Sequence, residues 1–164
     1  VTVMTERKQQ AVSEPDLQNV WQWLEEVPDP EIPVLSLVDL GVIRSIEAQG
    51  GELVVAVSPT YSGCPATRII HEDVAAKLRE KGLSAFRVEA VLSPPWSSEW
   101  ISKSGRKKLA AYGIAPPQAS GKPKACPQCG SAQLELVSQF GSTPCKASWR
   151  CLSCLEPFDY FKCI

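Results

Sequence analysis

Cys126-Pro127-Gln128-Cys129-Gly130 and Cys151-Leu152-Ser153-Cys154 both fall in the last forty residues of the chain. Two thiolates three positions apart clasp one ion, and Gly130 permits the tight turn whose amides face sulfur. Two such pairs make a tetrahedral four-sulfur set. The segment 125–164 holds too little apolar material to close a core of its own, so it needs a staple. The twenty-one residues between Cys129 and Cys151 slightly exceed the roughly 15–20 of common ribbons. A β-hairpin fits in that interval, with strands over 134–140 and 146–150 and a third over 157–162. Structural zinc through Cys126, Cys129, Cys151 and Cys154 is the expected staple. An iron–sulfur cluster is the competing reading, because four thiolates also hold one. Cys145 and Cys163 are surplus to four ligands. They are buried small residues, a second thiol site or substitute metal ligands.

The first dozen residues are polar with no apolar h-region, so the expected location is the cytoplasm. There, seven cysteines point to metal or thiol chemistry rather than disulfides. No apolar run is long enough to span a bilayer. A formal net charge of −1 gives no bulk attraction to nucleic acid or anionic membrane. There is one histidine, too few for a carboxylate–histidine diiron centre. No GxGxxG or GxxxxGK[ST] loop is present to cradle a nucleotide.

Residues 1–12 read as a loose tail, and 13–114 as a compact α+β domain with helices covering a small sheet. Ser13, followed by Pro15 and Asp16, is the expected N-cap of a helix running to about Val27. Leu17, Val20, Trp21, Leu24 and Val27 share one face of it, and Trp23 falls on the other side. The prolines at 28, 30 and 33 stop it. A first strand is expected over 42–48, with Val42, Arg44, Ile46 and Ala48 on one face. Gln49-Gly50-Gly51 is a hairpin turn, and 52–58 is an apolar, central second strand. A helix over 66–81 carries Ala66, Ile69, Ile70, Val74 and Leu78 as its buried stripe. A third strand over 84–92 turns Phe86, Val88, Ala90 and Leu92 inward. Ser98 caps a short helix with Trp100 and Ile101, and a basic helix follows over 105–112. Residues 115–124, rich in Pro, Ser, Gly and Lys, read as a linker, and 125–164 as the cysteine-rich ribbon.

One further stretch carries chemistry: Pro59-Thr60-Tyr61-Ser62-Gly63-Cys64-Pro65. Gly63 allows a sharp turn, and Pro65 suits a first helical position. Cys64 is therefore placed at or beside a helix N-terminus, where amide donors and the dipole favour a thiolate. It reads either as a metal ligand or nucleophile, or as a small buried residue in a tight turn. Asp29, Glu31 and Asp39 either support a metal-transfer site with Cys64 and Thr60, or make local backbone hydrogen bonds.

Asp29-Pro30-Glu31-Ile32-Pro33, Asp39-Leu40-Gly41 and the Thr60 to Pro65 element resemble the MIP18 (DUF59) family, whose members act in iron–sulfur cluster assembly and metalloprotein maturation. Leu92-Ser93-Pro94-Pro95-Trp96, Gly113-Ile114-Ala115-Pro116-Pro117 and Glu156-Pro157-Phe158-Asp159-Tyr160-Phe161-Lys162 narrow this. From about Leu17 to Ile164 the chain is similar to the family of D subunits of phenylacetyl-CoA epoxidases. Ser97-Ser98-Glu99 departs conservatively from that family's Thr and Asp. The resemblance implies an α+β MIP18-like domain followed by a zinc ribbon. It also implies an accessory or maturation role in phenylacetate degradation, without independent turnover. The implied cargo is a transient iron or iron–sulfur cluster, with Cys64 as the reactive cysteine. The implied partners are subunits of the phenylacetyl-CoA oxygenase, its reductase and iron–sulfur assembly machinery, with no nucleic acid and no membrane. A homodimer stays open.

Two other classes compete. A cysteine enzyme would need His71 as base for Cys64, but seven helical residues span roughly 10 Å, beyond hydrogen-bond reach. A nucleic-acid ribbon would use Lys122, Lys124, Lys146, Arg150 and Lys162, which only mildly outweigh Glu135, Glu156 and Asp159. Trp23, Trp96 and Trp100 read as partner contacts or as core.

Overall fold

The computed structural model describes residues 15–61 and 63–162. The expected tail, the expected cap Ser13, and Ser62 and Cys163 lie outside the described residues. Helix α1, Leu17–Glu25, is capped instead by Asp16, whose carboxylate accepts the Gln18 N–H at 3.1 Å. Val20, Leu24 and Val27 are buried as expected. Trp21 and Trp23 both pack against the same core, so Trp23 is not left on a free face. After α1 the Pro-rich loop folds under the domain and buries Ile32, Leu35, Leu37 and Leu40.

Strand β1 (Ile43–Gln49) runs antiparallel to β2 (Glu52–Val57) through Gly50 and Gly51, at φ 59° and 80°. These left-handed values are what a tight hairpin turn requires. A bulge between Ile43 and Ser45 resets the alternation. Ile43 and Ile46 are therefore buried, while Arg44 and Ala48 are exposed, which corrects the expected Val42/Arg44/Ile46/Ala48 face. An extra residue in one strand reverses facing, and composition gives no sign of it. Arg44 lies over the Trp100 ring at 3.4 Å. Helix α2 (Thr67–Glu80) connects β2 to β3 (Phe86–Ala90), which pairs parallel to β2. The central strand β2 is buried from Leu53 to Val57.

Three apolar expectations fail here. Ile69 is 45% and Leu92 66% exposed, and Ala90, expected to face inward, is exposed at the end of β3. The buried stripe of α2 is the narrower Ile70–Val74–Leu78 line, and β3 ends at Ala90, before Leu92. A single 3-10 turn over Ser98–Trp100 is capped by Ser97 rather than Ser98. Helix α3 (Lys103–Tyr112) is capped by Ser102, whose hydroxyl accepts the Gly105 N–H at 2.9 Å, and ends at Gly113 in left-handed geometry. The 96–102 segment packs down on the 39–41 loop. Trp96 Nε1 donates to the Leu40 carbonyl at 2.9 Å, and a Cβ on Gly41 would lie 2.6 Å from the Trp100 carbonyl oxygen.

The second sheet has the order β4-β7-β6-β5, with β4 Ile114–Ala115, β5 Leu134–Ser138, β6 Lys146–Cys151 and β7 Pro157–Phe161. Only β4 runs parallel to its neighbour β7. The start of the 115–124 segment is thus tied into the sheet. Arg106 donates to the Pro117 carbonyl at 2.8 Å, and the Gln118 N–H donates to the Tyr160 hydroxyl at 3.1 Å. A second small core gathers Ala115, Cys126, Ala147, Cys151, Phe158 and Tyr160. Phe161, Ile114 and Cys145 belong instead to the large first core. The Trp96 and Phe161 rings meet at 5.8 Å between centroids. Among the described residues no helix is long and apolar enough to cross a membrane.

Candidate functional site

The two CxxC loops face each other across the end of the second sheet. In the first, the Gly130 N–H donates to the Cys126 carbonyl at 2.9 Å, with Gly130 at φ 76°. In the second, Leu155 takes φ 66°, and the Cys151 N–H donates to the Glu156 carbonyl at 3.0 Å. The Ser131 and Ser153 hydroxyls join the loops at 2.8 Å. Backbone amides point at sulfur: Gln128 N–H lies 3.4 Å from Cys126 Sγ, and Ser153 and Cys154 N–H lie 3.4 and 3.5 Å from Cys151 Sγ. The Cys154 amide, then that of Ser153, holds the Cys151 thiol down at about 6, since donors stabilise the thiolate.

The four sulfurs lie within 4.8 Å of one another, with Cys126–Cys154 at 3.7 Å and Cys129–Cys151 at 3.6 Å. Zinc–sulfur bonds of about 2.3 Å put tetrahedral sulfurs about 3.8 Å apart. The donor set, its spacing and its inward amides therefore fit a zinc ion. Four protein ligands leave no open position, which is the signature of a structural rather than a catalytic site.

The second site is a small cavity in the first domain. Asp29, Glu31, Thr60, Cys64, Cys145 and Phe161 line it. Gly63 at φ 74° turns the chain into Cys64, whose carbonyl accepts the Thr67 N–H at 3.1 Å and the Thr67 hydroxyl at 2.8 Å. Helix α2 begins at Thr67 with Ala66 as its cap. Pro65 is therefore outside the helix, and Cys64 precedes the first helical residue by three positions. Cys64 is 8% exposed.

Asp29 Oδ1 accepts the N–H groups of Glu31 and Ile32 at 2.9 and 2.8 Å. Burial raises the Asp29 carboxyl above its ordinary range, against those two bonds. Glu31 is raised by burial and by the charge of Asp29. The Tyr61 phenol is raised by burial and by its contact with Cys64.

Not every candidate reaches this cavity. Asp39 lies apart, accepting from Ser102 Oγ at 3.0 Å, from Lys108 Nζ and from the Ser36 amide at 3.5 Å. Burial opposes its ionisation, but the Lys108 and Ser102 hydrogen bonds outweigh it and lower its carboxyl. Asp39 holds the 36–41 turn against α3. His71 does not line the cavity, and its buried Nε2 has no hydrogen-bond partner among the described residues. Cys145 is the residue the sequence could not place. It has no CxxC partner, and only the docking of the ribbon brings it beside Cys64.

The fold and the paired sites define an iron–sulfur-assembly-type (DUF59) domain carrying a four-cysteine β-ribbon. Residues 17–92 match the family model described as "Iron-sulfur cluster assembly protein", and 116–162 match "PaaD zinc beta ribbon domain". A DUF59 domain crystal structure from Bacillus anthracis superposes with a TM-score of 0.52 at 29% identity, over 56% of this chain and 89% of that one. An Fe-S protein maturation auxiliary factor of Porphyromonas gingivalis is 31% identical over 94 residues, 56% of this chain and 89% of its own. An Escherichia coli (strain K12) protein, named for the D position in a 1,2-phenylacetyl-CoA epoxidase, is 42% identical over 159 residues, 93% of this chain and 96% of that one. The chain belongs to the family of phenylacetyl-CoA epoxidase D subunits.

Proposed function

We propose that this protein is an accessory maturation factor for a phenylacetyl-CoA oxygenase, acting in assembly of its iron–sulfur or diiron centre and without turnover of its own. The observation that carries the reading is the Cys64 cavity. A thiol 8% exposed shares a pocket with two carboxylates, apart from the four-sulfur set. One site is suited to hold a resident structural zinc through Cys126, Cys129, Cys151 and Cys154, and the other to handle a transient ion or cluster. The partners in this reading are the oxygenase subunits or their reductase, and the iron–sulfur assembly machinery that supplies the cargo.

The chain's own residues have definable parts. Cys64 offers the sulfur, Asp29 and Glu31 offer oxygen donors, and Thr60 offers a hydroxyl at the same wall. Zinc in the ribbon supplies rigidity and takes no part in transfer. The test is reconstitution. Oxygenase and reductase already loaded with iron should turn over at one rate with or without this protein. Apo-enzyme supplied with iron and sulfide should gain activity faster when it is present. A stoichiometric requirement during steady-state turnover of loaded enzyme would make it a catalytic component and end the maturation reading.

A further inference from the structure

The second sheet turns its charges to one side. Successive strand residues alternate between faces, and the registers fix which residue goes where. Glu135 stands opposite Arg150, and Asp159 opposite Ser148, on the face that carries Phe161 into the first core. Both carboxylates are paired there, Glu135 with Arg150 and Asp159 with Lys146. Leu136, Ala147, Trp149 and Tyr160 alternate to the other face. At the knuckle end that face is closed by the ribbon's own small core. At the far end it opens into a groove of about 470 Å³, whose walls include Lys122, Leu136, Gln139, Trp149, Tyr160 and Lys162. That is a volume typical of binding pockets.

The chemistry of the walls is one-sided. They hold two ammonium groups and no carboxylate. Among the described residues, neither Lys122 nor Lys162 forms an ion pair. Lys162 Nζ donates to the Gln139 carbonyl at 3.0 Å and lies 4.6 Å from the centre of the Phe140 ring, which leaves it further donors. The buried Trp149 Nε1 has no hydrogen-bond partner among the described residues, and a buried donor left unpaired is costly. The Trp149 ring meets Tyr160 edge-on at 6.3 Å, while Leu136 and Phe140 are exposed. An apolar floor with cations and a lone N–H donor is complementary to carboxylates beside an apolar anchor. Two lysines do not make a nucleic-acid track, which needs a run of phosphate contacts.

We propose that this groove docks an acidic segment of a partner protein. Its carboxylates meet Lys122 and Lys162, and an aliphatic or aromatic side chain packs on Trp149 and Leu136. The identity of the partner rests on the maturation reading, in which it is the oxygenase or its reductase. Phe161, which lines the Cys64 cavity, points from the opposite face of the sheet. The ribbon therefore grips the client on one face and leaves the thiol's wall free on the other.

The probe is a short fluorescein-labelled peptide in which glutamates alternate with leucine and phenylalanine. Its anisotropy is read against the full chain with zinc in the four-sulfur set. Saturable binding that weakens with added salt is expected. Lys122→Glu and Lys162→Glu should each weaken it by about tenfold, and Trp149→Phe by roughly fivefold, with zinc content unchanged. A version of the peptide with glutamine for glutamate should bind about tenfold more weakly. No binding up to about 1 mM peptide, or equal binding of the glutamine version, overturns the docking groove. So do lysine reversals that leave binding unchanged in the folded, zinc-loaded protein. Tighter binding of a single-stranded oligonucleotide than of the peptide, or a dimer of this chain that the reversals dissolve, also overturns it. Activation of apo-oxygenase separates this proposal from the maturation reading. The Lys122→Glu/Lys162→Glu protein should activate slowly at low concentration and match wild type at saturation, whereas Cys64→Ala should fail at every concentration. Normal activation by the double variant at low concentration removes the client from the groove and leaves the maturation reading. Failure of wild type to activate, with the peptide still held by both lysines, ends the maturation reading and leaves the groove.

Discussion

At the scale of single residues, burial and hydrogen bonding separate groups that look alike in the sequence. Asp29 and Asp39 both sit in Pro- or Gly-punctuated loops, but one lines the Cys64 cavity and the other is tied to Lys108, Ser102 and Ser36. Asp39→Ala should lose about 2 kcal/mol of stability at neutral pH, since it strips acceptors from three donors. The carboxyl of folded Asp39 is lowered, so its contribution is fully present above the unfolded value near 3.9. It fades as pH falls through the lower folded value. Urea titrations should therefore show wild type and Asp39→Ala converging below about pH 4 and parallel above it. Cys64→Ala removes one sulfur from a turn and should cost only about 1 kcal/mol while abolishing activation of apo-oxygenase. A variant that folds and still activates would refute the role given to this thiol.

At the scale of elements, each short segment is held by something outside itself. The hairpin of β5 and β6 presents Leu136 and Val137 to solvent, 40% and 61% exposed, so apolar burial contributes little there. The knuckles have to supply the order, as metal binding does in small ribbons. Removing metal with a strong chelator, or replacing one thiolate by Cys126→Ser, should raise amide hydrogen exchange across 126–158. Exchange in β2 and α2, which lie in the larger core, should change far less. Equal protection of the knuckles with and without metal would show that the four sulfurs are not the staple. Gly41 is the corresponding device in the first domain. Its φ of 74° and its 2.6 Å approach to the Trp100 carbonyl leave no room for a side chain. Gly41→Ala should lower the melting temperature by several degrees, as a strained backbone position costing about 1–2 kcal/mol would.

At the scale of the whole molecule, the ribbon is a packed part of the structure. Phe161 is fully buried in the first core and meets Trp96, while β4 leads straight from α3 into the second sheet. Phe161→Ala should cost about 3–5 kcal/mol and loosen the seam that holds Cys145 beside Cys64. Thermal unfolding of that variant should separate into two transitions if the seam couples the halves. A single transition merely shifted downward would mean that the coupling runs through β4 and the knuckles instead.

Much of this architecture is written locally. Regular spacing of apolar residues specified α1, α2 and β2. Gly50-Gly51 specified the first hairpin, and the paired CxxC motifs specified which four sulfurs meet. Each of these depends on neighbours a few residues apart or on a motif that carries its own partner. The misplacements have a common origin in contacts distant along the chain. The bulge at Ile43/Ser45 reverses the face of β1, and among the described residues nothing covers Ile69 or Leu92. The docking of the segment after α3 depends on Arg106, Tyr160 and Phe161 meeting partners far away in sequence. So does the pairing of Cys145 with the Cys64 cavity. The four-cysteine set, the turn that carries Cys64 and the elements around them were legible from residue order, because propensity and motif spacing act over short range. Their meeting at a shared wall was not legible, because burial of Phe161 and Cys145 in the first core is a long-range packing choice that no local pattern encodes.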